Sequence, residues 1–175
     1  DESFIDYCQE FTCLSQLRRY PRLIILRSFT KFYGLPGLRI GYSVSSPAVA
    51  ARLKGFQPPW SVNAVAQRAA EAAIAAVAHA RRCLACIERV RAHLTTQLSP
   101  LDGLAVIPSS ANFLLVELPP PFGSRAVTAE LRRRGLLVRD CSSLEGCTAR
   151  MIRIAVRTRR DNARRLAALR GILRR

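Results

Sequence analysis

Lys31 is the residue of this chain best suited to covalent chemistry. The sequence contains 28 lysines and arginines, yet lysine occurs only at Lys31 and Lys54. Lys31 follows Ser28-Phe29-Thr30 and precedes Phe32-Tyr33. An arginine stays protonated, whereas a desolvated lysine amine can lose its proton and condense with an aldehyde. A lysine at this position therefore favours Schiff-base chemistry, with pyridoxal phosphate as the cofactor.

The segments on either side of Lys31 are predicted to form strands. The continuous apolar run at 23–26 is typical of a strand that is buried on both faces. A turn at Pro36-Gly37 precedes a second predicted strand at 39–45. Residues 1–7 have the pattern of a strand end, and 8–20 are long enough for a crossover. We therefore expect the strands at 1–7 and 23–26 to be parallel neighbours.

The middle of the chain is predicted to be helical. Residues 47–55 form a short helix, and the proline-containing segment 57–61 interrupts the pattern. The alanine-rich stretch 62–98 then predicts one long helix or two helices in tandem. His79 and His93 are interpreted as surface or packing residues. The Cys83-x-x-Cys86 pair is interpreted as thiols without a metal or redox role, because no second pair stands at zinc-ligand spacing.

The last part of the chain alternates strands and helices in the manner of a small α+β unit. The predicted strands lie at 104–107, 112–118, 136–139 and 151–156. A helix over 124–134 is expected to end at Gly135, where a C-cap glycine belongs. A final helix, capped by Asp161 or Asn162, is expected to run toward Arg174.

The overall charge and the cysteines limit the partners and the cellular compartment that the chain is expected to have. A net charge of +16 is compatible with nucleic acid, but the arginines are spread along the chain with few aromatics among them for base stacking. We interpret the charge as an arginine bias on solvated helix faces and expect no nucleic-acid partner. No apolar run is long enough to span a membrane. Six cysteines without a signal peptide predict reduced thiols in the cytoplasm.

Three motifs together resemble a known enzyme family. Asp1-Glu2-Ser3-Phe4, Ser28-Phe29-Thr30-Lys31 and Leu38-Arg39-Ile40-Gly41 look like the fold-type-I pyridoxal-phosphate enzymes of aminotransferase class I/II, in the same order and spacing. The resemblance covers nearly the whole chain but only the second half of such an enzyme. It implies an α/β fold, with the end of the large cofactor-binding domain at 1–60, a long connecting helix at 61–98 and a small α+β domain at 99–175.

Within that family the chain most resembles the threonine-phosphate decarboxylases of cobalamin biosynthesis, which are close to the histidinol-phosphate aminotransferases. The segments that favour the decarboxylases are 27–33, 59–63 and 153–158, together with Asp-Glu-x-Phe-Ile-Asp at 1–6. The implied reaction is decarboxylation of L-threonine O-3-phosphate to 1-aminopropan-2-ol phosphate. Two alternatives stay open: transamination of a phosphorylated amino alcohol, and a non-enzymatic basic remnant of the fold. The parent enzymes are usually homodimers.

The resemblance assigns a cofactor role to four residues. Lys31 would condense with the cofactor aldehyde and shuttle protons at the substrate carbon. Asp1 would face the pyridine nitrogen and keep the ring protonated. Ser28 and Arg39 would hold the cofactor phosphate, because a hydroxyl and a guanidinium fork suit a dianionic group.

Further residues have roles that the sequence leaves open. Arg153 is expected to bind the substrate carboxylate, and Arg157 is a candidate for a substrate phosphate. Phe4 replaces a tyrosine that is common in the family, which favours the decarboxylases, although a packing role explains it equally well. Trp60 and Asn63 either border the site or act as a core tryptophan and a helix-start cap. The resemblance does not include the N-terminal part of the family, which supplies further cofactor contacts. We therefore expect weak cofactor retention and little turnover.

Overall fold

The computed structural model describes residues 1–174 and divides the chain into two compact units. The first unit comprises Asp1–Cys83, and the second begins at Leu84. Each unit is described by itself. The division falls inside a helix, Val77–Leu98, and so differs from the boundaries at 60 and 98 that the sequence suggests. Those domain boundaries stay a prediction.

The first unit contains a two-stranded antiparallel sheet followed by helices. Strand β1 (Ile24–Ser28) pairs with β2 (Gly41–Ser45), so that Ile24 lies opposite Ser45 and Ser28 opposite Gly41. Helix α1 (Pro47–Phe56) agrees with the predicted short helix. Only Ile25 of β1 is buried, whereas Ile24 and Leu26 are 40% and 51% exposed. The prediction of burial on both faces is therefore wrong, because the face of β1 that carries Ile24 and Leu26 is open to solvent.

The segment before β1 is not a strand. Ile5–Tyr7, Gln9–Phe11 and Leu14–Arg18 form short 3-10 helices, in which bonds such as Tyr7 N–H to Phe4 O satisfy the backbone locally. A backbone bond from Glu2 N–H to Leu26 O, at 2.8 Å, joins this segment to β1. The predicted parallel strand pair with its crossover is therefore absent from the described residues.

The alanine-rich stretch forms two helices in tandem, α2 (Ala64–Ala75) and α3 (Val77–Leu98). The Oδ1 atom of Asn63 accepts a 2.8 Å bond from Ala66 N–H, so Asn63 is the N-cap that one interpretation expected. Trp60 is 97% exposed and has a φ of +64°. The interpretation of Trp60 as a core residue is therefore wrong, because its side chain is almost fully exposed.

The second unit is the predicted α+β unit. Its antiparallel sheet has the order β3–β4–β6–β5, formed by Ala105–Ile107, Phe113–Glu117, Met151–Ala155 and Arg139–Asp140 respectively. Helices α4 (Ser124–Arg133) and α5 (Arg159–Leu173) complete the unit. Gly135 follows α4 with a φ of +71°, as a C-cap glycine should. The strand predicted at 136–139 forms instead at Arg139–Asp140.

The core of the second unit follows from alternation along its strands. The buried residues of β4 are Leu114 and Val116, and those of β6 are Ile152 and Ile154. They pack with apolar residues of the helices, among them Leu94, Leu98, Val127, Leu131, Leu166, Leu169 and Ile172. Thr158, rather than Asp161 or Asn162, caps α5, because its Oγ1 accepts a bond from Asp161 N–H at 3.1 Å.

A partly buried ion pair joins the first residues to β1. The Arg27 guanidinium donates to Glu2 Oε2 at 2.9 Å, and the two side chains are only 15% and 10% exposed. Cys13 N–H also donates to the Glu2 carboxylate, at 2.7 Å, and Thr12 donates from its hydroxyl. Burial alone would raise the pKa of Glu2, but the bonds from Cys13, Arg27 and Thr12 outweigh it and lower that pKa.

We predict that Glu2→Gln removes part of the acid sensitivity of the chain. A carboxyl group with a depressed pKa stabilises the fold above its ordinary value of 4.5 and loses that contribution as the pH falls through the folded-state pKa. At neutral pH the substitution should cost about 1–3 kcal/mol, because Arg27 loses its charged partner. Urea unfolding followed by circular dichroism across the acidic range measures both effects.

The matched control is Glu71→Gln on α2, whose partner Arg68 is 85% exposed. That exposed pair should contribute little, so this variant should unfold like the parent chain. Burial is the main cause that raises the pKa of Asp6, so its contribution to the free energy of unfolding is present at low pH and is lost as the pH rises. The sign of this contribution is the same in every variant. A Glu2→Gln chain that lost stability with acid in parallel with the parent would contradict the prediction.

Gly41 permits the close approach of β1 and β2. A Cβ atom built at Gly41 would lie 2.6 Å from the carbonyl oxygen of Arg27, which belongs to the backbone and cannot move aside without shifting β1. We predict that Gly41→Ala destabilises the first unit by about 1–3 kcal/mol. Gly55→Ala in α1 is the control, since nothing lies within 4 Å of its Cβ position and alanine favours helix. Equal unfolding midpoints for the two variants would refute this prediction.

Candidate functional site

The candidate site is built on one closed loop, residues 29–40, between β1 and β2. The pair Ser28–Gly41 ends the ladder, and Phe29 N–H continues it with a 3.2 Å bond to Ile40 O. Leu35 N–H donates to Phe29 O at 3.1 Å inside the loop. These bonds place Ser28 and Arg39 at the same end of the strand pair, with Lys31 on the loop between them.

Helix α2 packs against this loop. Phe29 and Ile40, which are buried at the two ends of the loop, form a core cluster with Ala66 and Ala70 of α2. Alanine side chains on the helix let the loop backbone approach closely. Tyr33, Leu35 and Leu38 pack around the cluster. The alanine-rich composition of α2 therefore serves to position the loop that carries Lys31.

Ser28 is oriented by a residue that the sequence reasoning missed. The hydroxyls of Ser28 and Thr30 lie 2.7 Å apart, and Thr30 N–H donates to Ser28 Oγ at 3.2 Å. This local turn fixes the Ser28 hydroxyl at the end of β1. The signal available in the sequence is the Ser-x-Thr spacing within the lysine motif.

Lys31 is exposed and lies against an aromatic ring. Its Nζ atom is 5.8 Å from the centre of the Phe4 ring, which is within the range of a cation–π contact. Phe4 is also near Tyr7, with ring centres 6.4 Å apart, and Tyr7 meets Phe32 edge to face at 5.2 Å. Phe4 thus has a packing role, and it links the first segment to the lysine loop.

Arg39 and Asp1 are both exposed, and each is held by local bonds. Arg39 has a left-handed φ of +52°, and its Nη1 donates to Pro36 O at 3.3 Å. Such a conformation costs a non-glycine residue about 1–3 kcal/mol and is common at functional sites. The Oδ1 atom of Asp1 accepts bonds from Ser3 N–H at 2.8 Å and from the Ser3 hydroxyl at 2.6 Å. Ser3 is a second residue that the sequence reasoning missed.

Asp6, Tyr7 and Tyr33 form a group of ionisable residues whose pKa values are raised by burial. Burial raises the pKa of Asp6, although the charge of Arg27 and a bond from Tyr33 oppose the shift. Burial, with the Asp6 charge as the next cause, raises the pKa of Tyr7 to about 12 and also raises that of Tyr33. All three residues stand inside or beside the recognised motifs, which is the only signal that the sequence offered for them. At neutral pH both phenols are protonated donors.

The two substrate-site candidates belong to the second unit. Arg153 lies on β6 opposite Leu115 and Arg139, and its guanidinium is 4.9 Å from the centre of the Phe113 ring. It points away from the core, because its neighbours Ile152 and Ile154 are buried. Arg157 donates from Nε to Asp161 Oδ2 at 3.2 Å.

The described residues contain no group of three or more histidine, cysteine or acidic side chains that could hold a metal ion. The six cysteines are free, and Cys83 lies 3.3 Å from Nε2 of His79 on the same helix. Within residues 1–174, no helix has both the length and the apolar composition needed to cross a membrane.

Comparison with curated proteins places these motifs in one family. The chain matches the family described as aminotransferase class I and II over residues 1–169. It is 38% identical over 179 residues to the threonine-phosphate decarboxylase of Salmonella typhimurium, covering 99% of the chain and 48% of that protein. It is 36% identical over 176 residues to a histidinol-phosphate aminotransferase of an Anaeromyxobacter species, covering 99% and 47%. The chain thus spans about half the length of these relatives.

Solved structures agree with this assignment. The histidinol-phosphate aminotransferase of Clostridium acetobutylicum matches with a TM-score of 0.92 at 26% identity, over 99% of this chain and 53% of that one. The L-threonine-O-3-phosphate decarboxylase of Porphyromonas gingivalis matches with 0.87 at 28%, over 99% and 54%. The enzyme of Sinorhizobium meliloti, solved in complex with pyridoxal-5'-phosphate, matches with 0.88 at 26%, over 99% and 48%.

These matches confirm the predicted α/β fold of the type-I pyridoxal-phosphate transferases over the part that the chain covers. They also confirm the resemblance drawn from the three motifs. The chain belongs to the aminotransferase class I and II family.

Proposed function

We propose that this chain carries the lysine site of a pyridoxal-phosphate enzyme that decarboxylates L-threonine O-3-phosphate to 1-aminopropan-2-ol phosphate in cobalamin biosynthesis. The observation that carries the proposal is the closed loop 29–40, which presents Lys31 between Ser28 and Arg39. The identity of 38% to the Salmonella decarboxylase favours this reaction within the family. The proposed partners are a phosphorylated amino acid and a second copy of the parent enzyme, without nucleic acid.

The residues of the loop fit the proposed cofactor. An exposed primary amine at Lys31 suits an aldehyde, and the hydroxyl of Ser28 with the guanidinium of Arg39 suits a phosphate. The carboxylate of Asp1, oriented by Ser3, suits a protonated ring nitrogen. Because Asp1, Lys31 and Arg39 are all exposed, we also expect weak cofactor retention by this chain and little turnover.

Pyridoxal phosphate, when bound, supplies an aldehyde for the amine and a ring that withdraws electrons from the substrate carbon. The residues of the chain then have distinct tasks. Asp1 keeps the proton on the ring nitrogen, because a carboxylate beside that nitrogen favours its charged form. The amine of Lys31 moves a proton at the substrate carbon. Ser28 and Arg39 hold the phosphate and thereby fix the orientation of the ring.

Arg153 and Arg157 are proposed to bind the substrate. The Arg153 guanidinium, stacked on Phe113 and turned away from the core, is available for a bidentate pair with the substrate carboxylate. Arg157 is proposed to contact the substrate phosphate. By holding the substrate carboxylate, Arg153 would set which bond at the substrate carbon is broken, and so would favour decarboxylation or transamination.

Transamination of a histidinol-phosphate type substrate is the second candidate. It is favoured by the 36% identity to the Anaeromyxobacter enzyme and by the match to the Clostridium structure. The two reactions differ in their products. Carbon dioxide released from carboxyl-labelled O-phosphothreonine indicates decarboxylation, whereas an amino group transferred to a 2-oxo acid without carbon dioxide indicates transamination.

We predict that the purified chain forms a covalent cofactor adduct at Lys31. Titration with pyridoxal phosphate should give a saturable visible absorbance band, and borohydride reduction followed by peptide mass mapping should place the adduct on Lys31. Lys31→Arg should abolish the band, because arginine keeps the charge but does not condense with the aldehyde.

Lys54→Arg is the matched control, since it removes the only other lysine and should leave the band unchanged. Labelling shared equally between the two lysines would overturn the proposed cofactor site. If the chain instead bound nucleic acid in a salt-dependent way without any adduct, the alternative of a basic remnant would be favoured.

We predict that Arg153→Gln weakens the binding of O-phosphothreonine to the cofactor-loaded chain by about tenfold or more, the loss expected for a charge-assisted pair. The control is Arg139→Gln, an exposed arginine directly opposite on β5. Calorimetric titration measures both affinities. Equal losses for the two variants would show that general charge, rather than Arg153, binds the substrate.

A further inference from the structure

A second basic site stands out in the second unit, at the start of α5. A cavity of about 330 Å³ is lined by three arginines, Arg157, Arg164 and Arg165, and by one carboxylate, Asp161. Residues 135–137, which follow α4, form the opposite wall. We call this cavity the arginine pocket.

The sheet explains why the arginine pocket exists. The β5–β6 ladder stops at the pair Arg139–Arg153. Residues 135–137, which precede β5, and Arg157, which follows β6, lie beyond this last pair and line the pocket together with α5. Arg165, on α5, donates from Nη1 to Ala155 O at 2.8 Å. This bond fixes its guanidinium at the edge of the arginine pocket.

The charges of the arginine pocket are not balanced by protein groups. Asp161 pairs with Arg157, but among the described residues Arg164 and Arg165 form no ion pair. Three guanidinium groups and one carboxylate leave an excess of two positive charges. Burial is the main cause that lowers the pKa of Arg165; the charge of Arg157 lowers it further, and the Asp161 carboxylate opposes the shift.

The N-terminus of α5 adds to the excess of positive charge. The positive end of the helix dipole favours acidic side chains in the first turn, yet α5 begins with Arg159 and Arg160 and has only Asp161 as an acid. Cations at this end destabilise a helix unless an anion neutralises them. A bound anion would relieve both the repulsion among the arginines and the unfavourable placement at the helix start.

We propose that the arginine pocket binds a phosphate dianion, held by Arg157, Arg164 and Arg165. Two negative charges match the excess of two, and the guanidinium fork suits the oxygens of a phosphate. Leu137, which is 68% exposed at the rim, offers an apolar contact to the organic part of a phosphate ester. The proposed function names only Arg157 as a phosphate contact, and the arginine pocket adds Arg164 and Arg165. Binding of a phosphate dianion here does not depend on the proposed function; only the statement that this anion is the substrate phosphate does.

The test is calorimetric titration of the full chain with inorganic phosphate. Arg39→Gln serves as the background, because it removes the other proposed phosphate contact. In that background we expect saturable binding that Arg164→Gln and Arg165→Gln each weaken by about tenfold. Arg160→Gln, on the same helix but outside the pocket, removes the same charge and should weaken binding by less than about threefold. Circular dichroism of each variant confirms that α5 is intact.

Asp161→Asn supplies a test that misfolding cannot mimic. It removes the competing carboxylate, so phosphate should bind more tightly, by about threefold or more. No saturable binding, or equal losses for Arg160→Gln and Arg164→Gln, would overturn the arginine pocket.

O-phosphothreonine, threonine and inorganic phosphate, titrated in parallel, separate the sources of the anion. Tighter binding of O-phosphothreonine through Arg164 and Arg165 would identify the site as that of the substrate phosphate. Equal binding of O-phosphothreonine and inorganic phosphate would support a separate anion site and remove Arg157 from the proposed substrate site. Either result is independent of the adduct at Lys31.

Discussion

The antiparallel pairing of β1 with β2 is the constraint on which the lysine site depends. It brings together Ser28 and Arg39, which belong to two different motifs and lie eleven residues apart in the sequence. The contact at Gly41 is so close that a side chain would meet the backbone of Arg27. The glycine in the third motif is therefore required by strand packing, and the loop that carries Lys31 is closed as a consequence.

Electrostatic pairing plays a different part in each unit. In the first unit, Arg27 and Glu2 are partly buried together, and their bonds hold the opening segment beside β1. Removing either partner leaves a partly buried charge without its counter-ion, which is costly. In the second unit, most arginines are exposed, and the arginine pocket keeps an excess of positive charge. A chain of net charge +16 thus uses one arginine as a structural clamp and presents others for anions.

Several expectations about the chain could be drawn from its sequence because they depend on local physics. Helix α1, the alanine-rich helices and the α+β order of the last part follow from periodicity and from turn residues such as Gly135. The apolar residues at the start of the chain suggest a strand end, whereas local i to i+3 bonds form 3-10 helices there. The core interpretation of Trp60 is wrong because its side chain is 97% exposed, which only the three-dimensional structure shows.

The sequence by itself determined the chemistry that the chain can offer: a rare lysine in a recognisable motif, a serine and an arginine suited to phosphate, and membership of a pyridoxal-phosphate family. These features depend on residue type and spacing, which are visible without a fold. Tertiary structure decided which groups act together. Thr30 orients Ser28, Phe4 lies against Lys31, and Arg157, Arg164 and Arg165 share one pocket. Thr30 and Ser28 meet in a local turn, but Phe4 and Lys31, and residues 135–137 and the arginines of α5, are distant in sequence, and only tertiary packing brings them together.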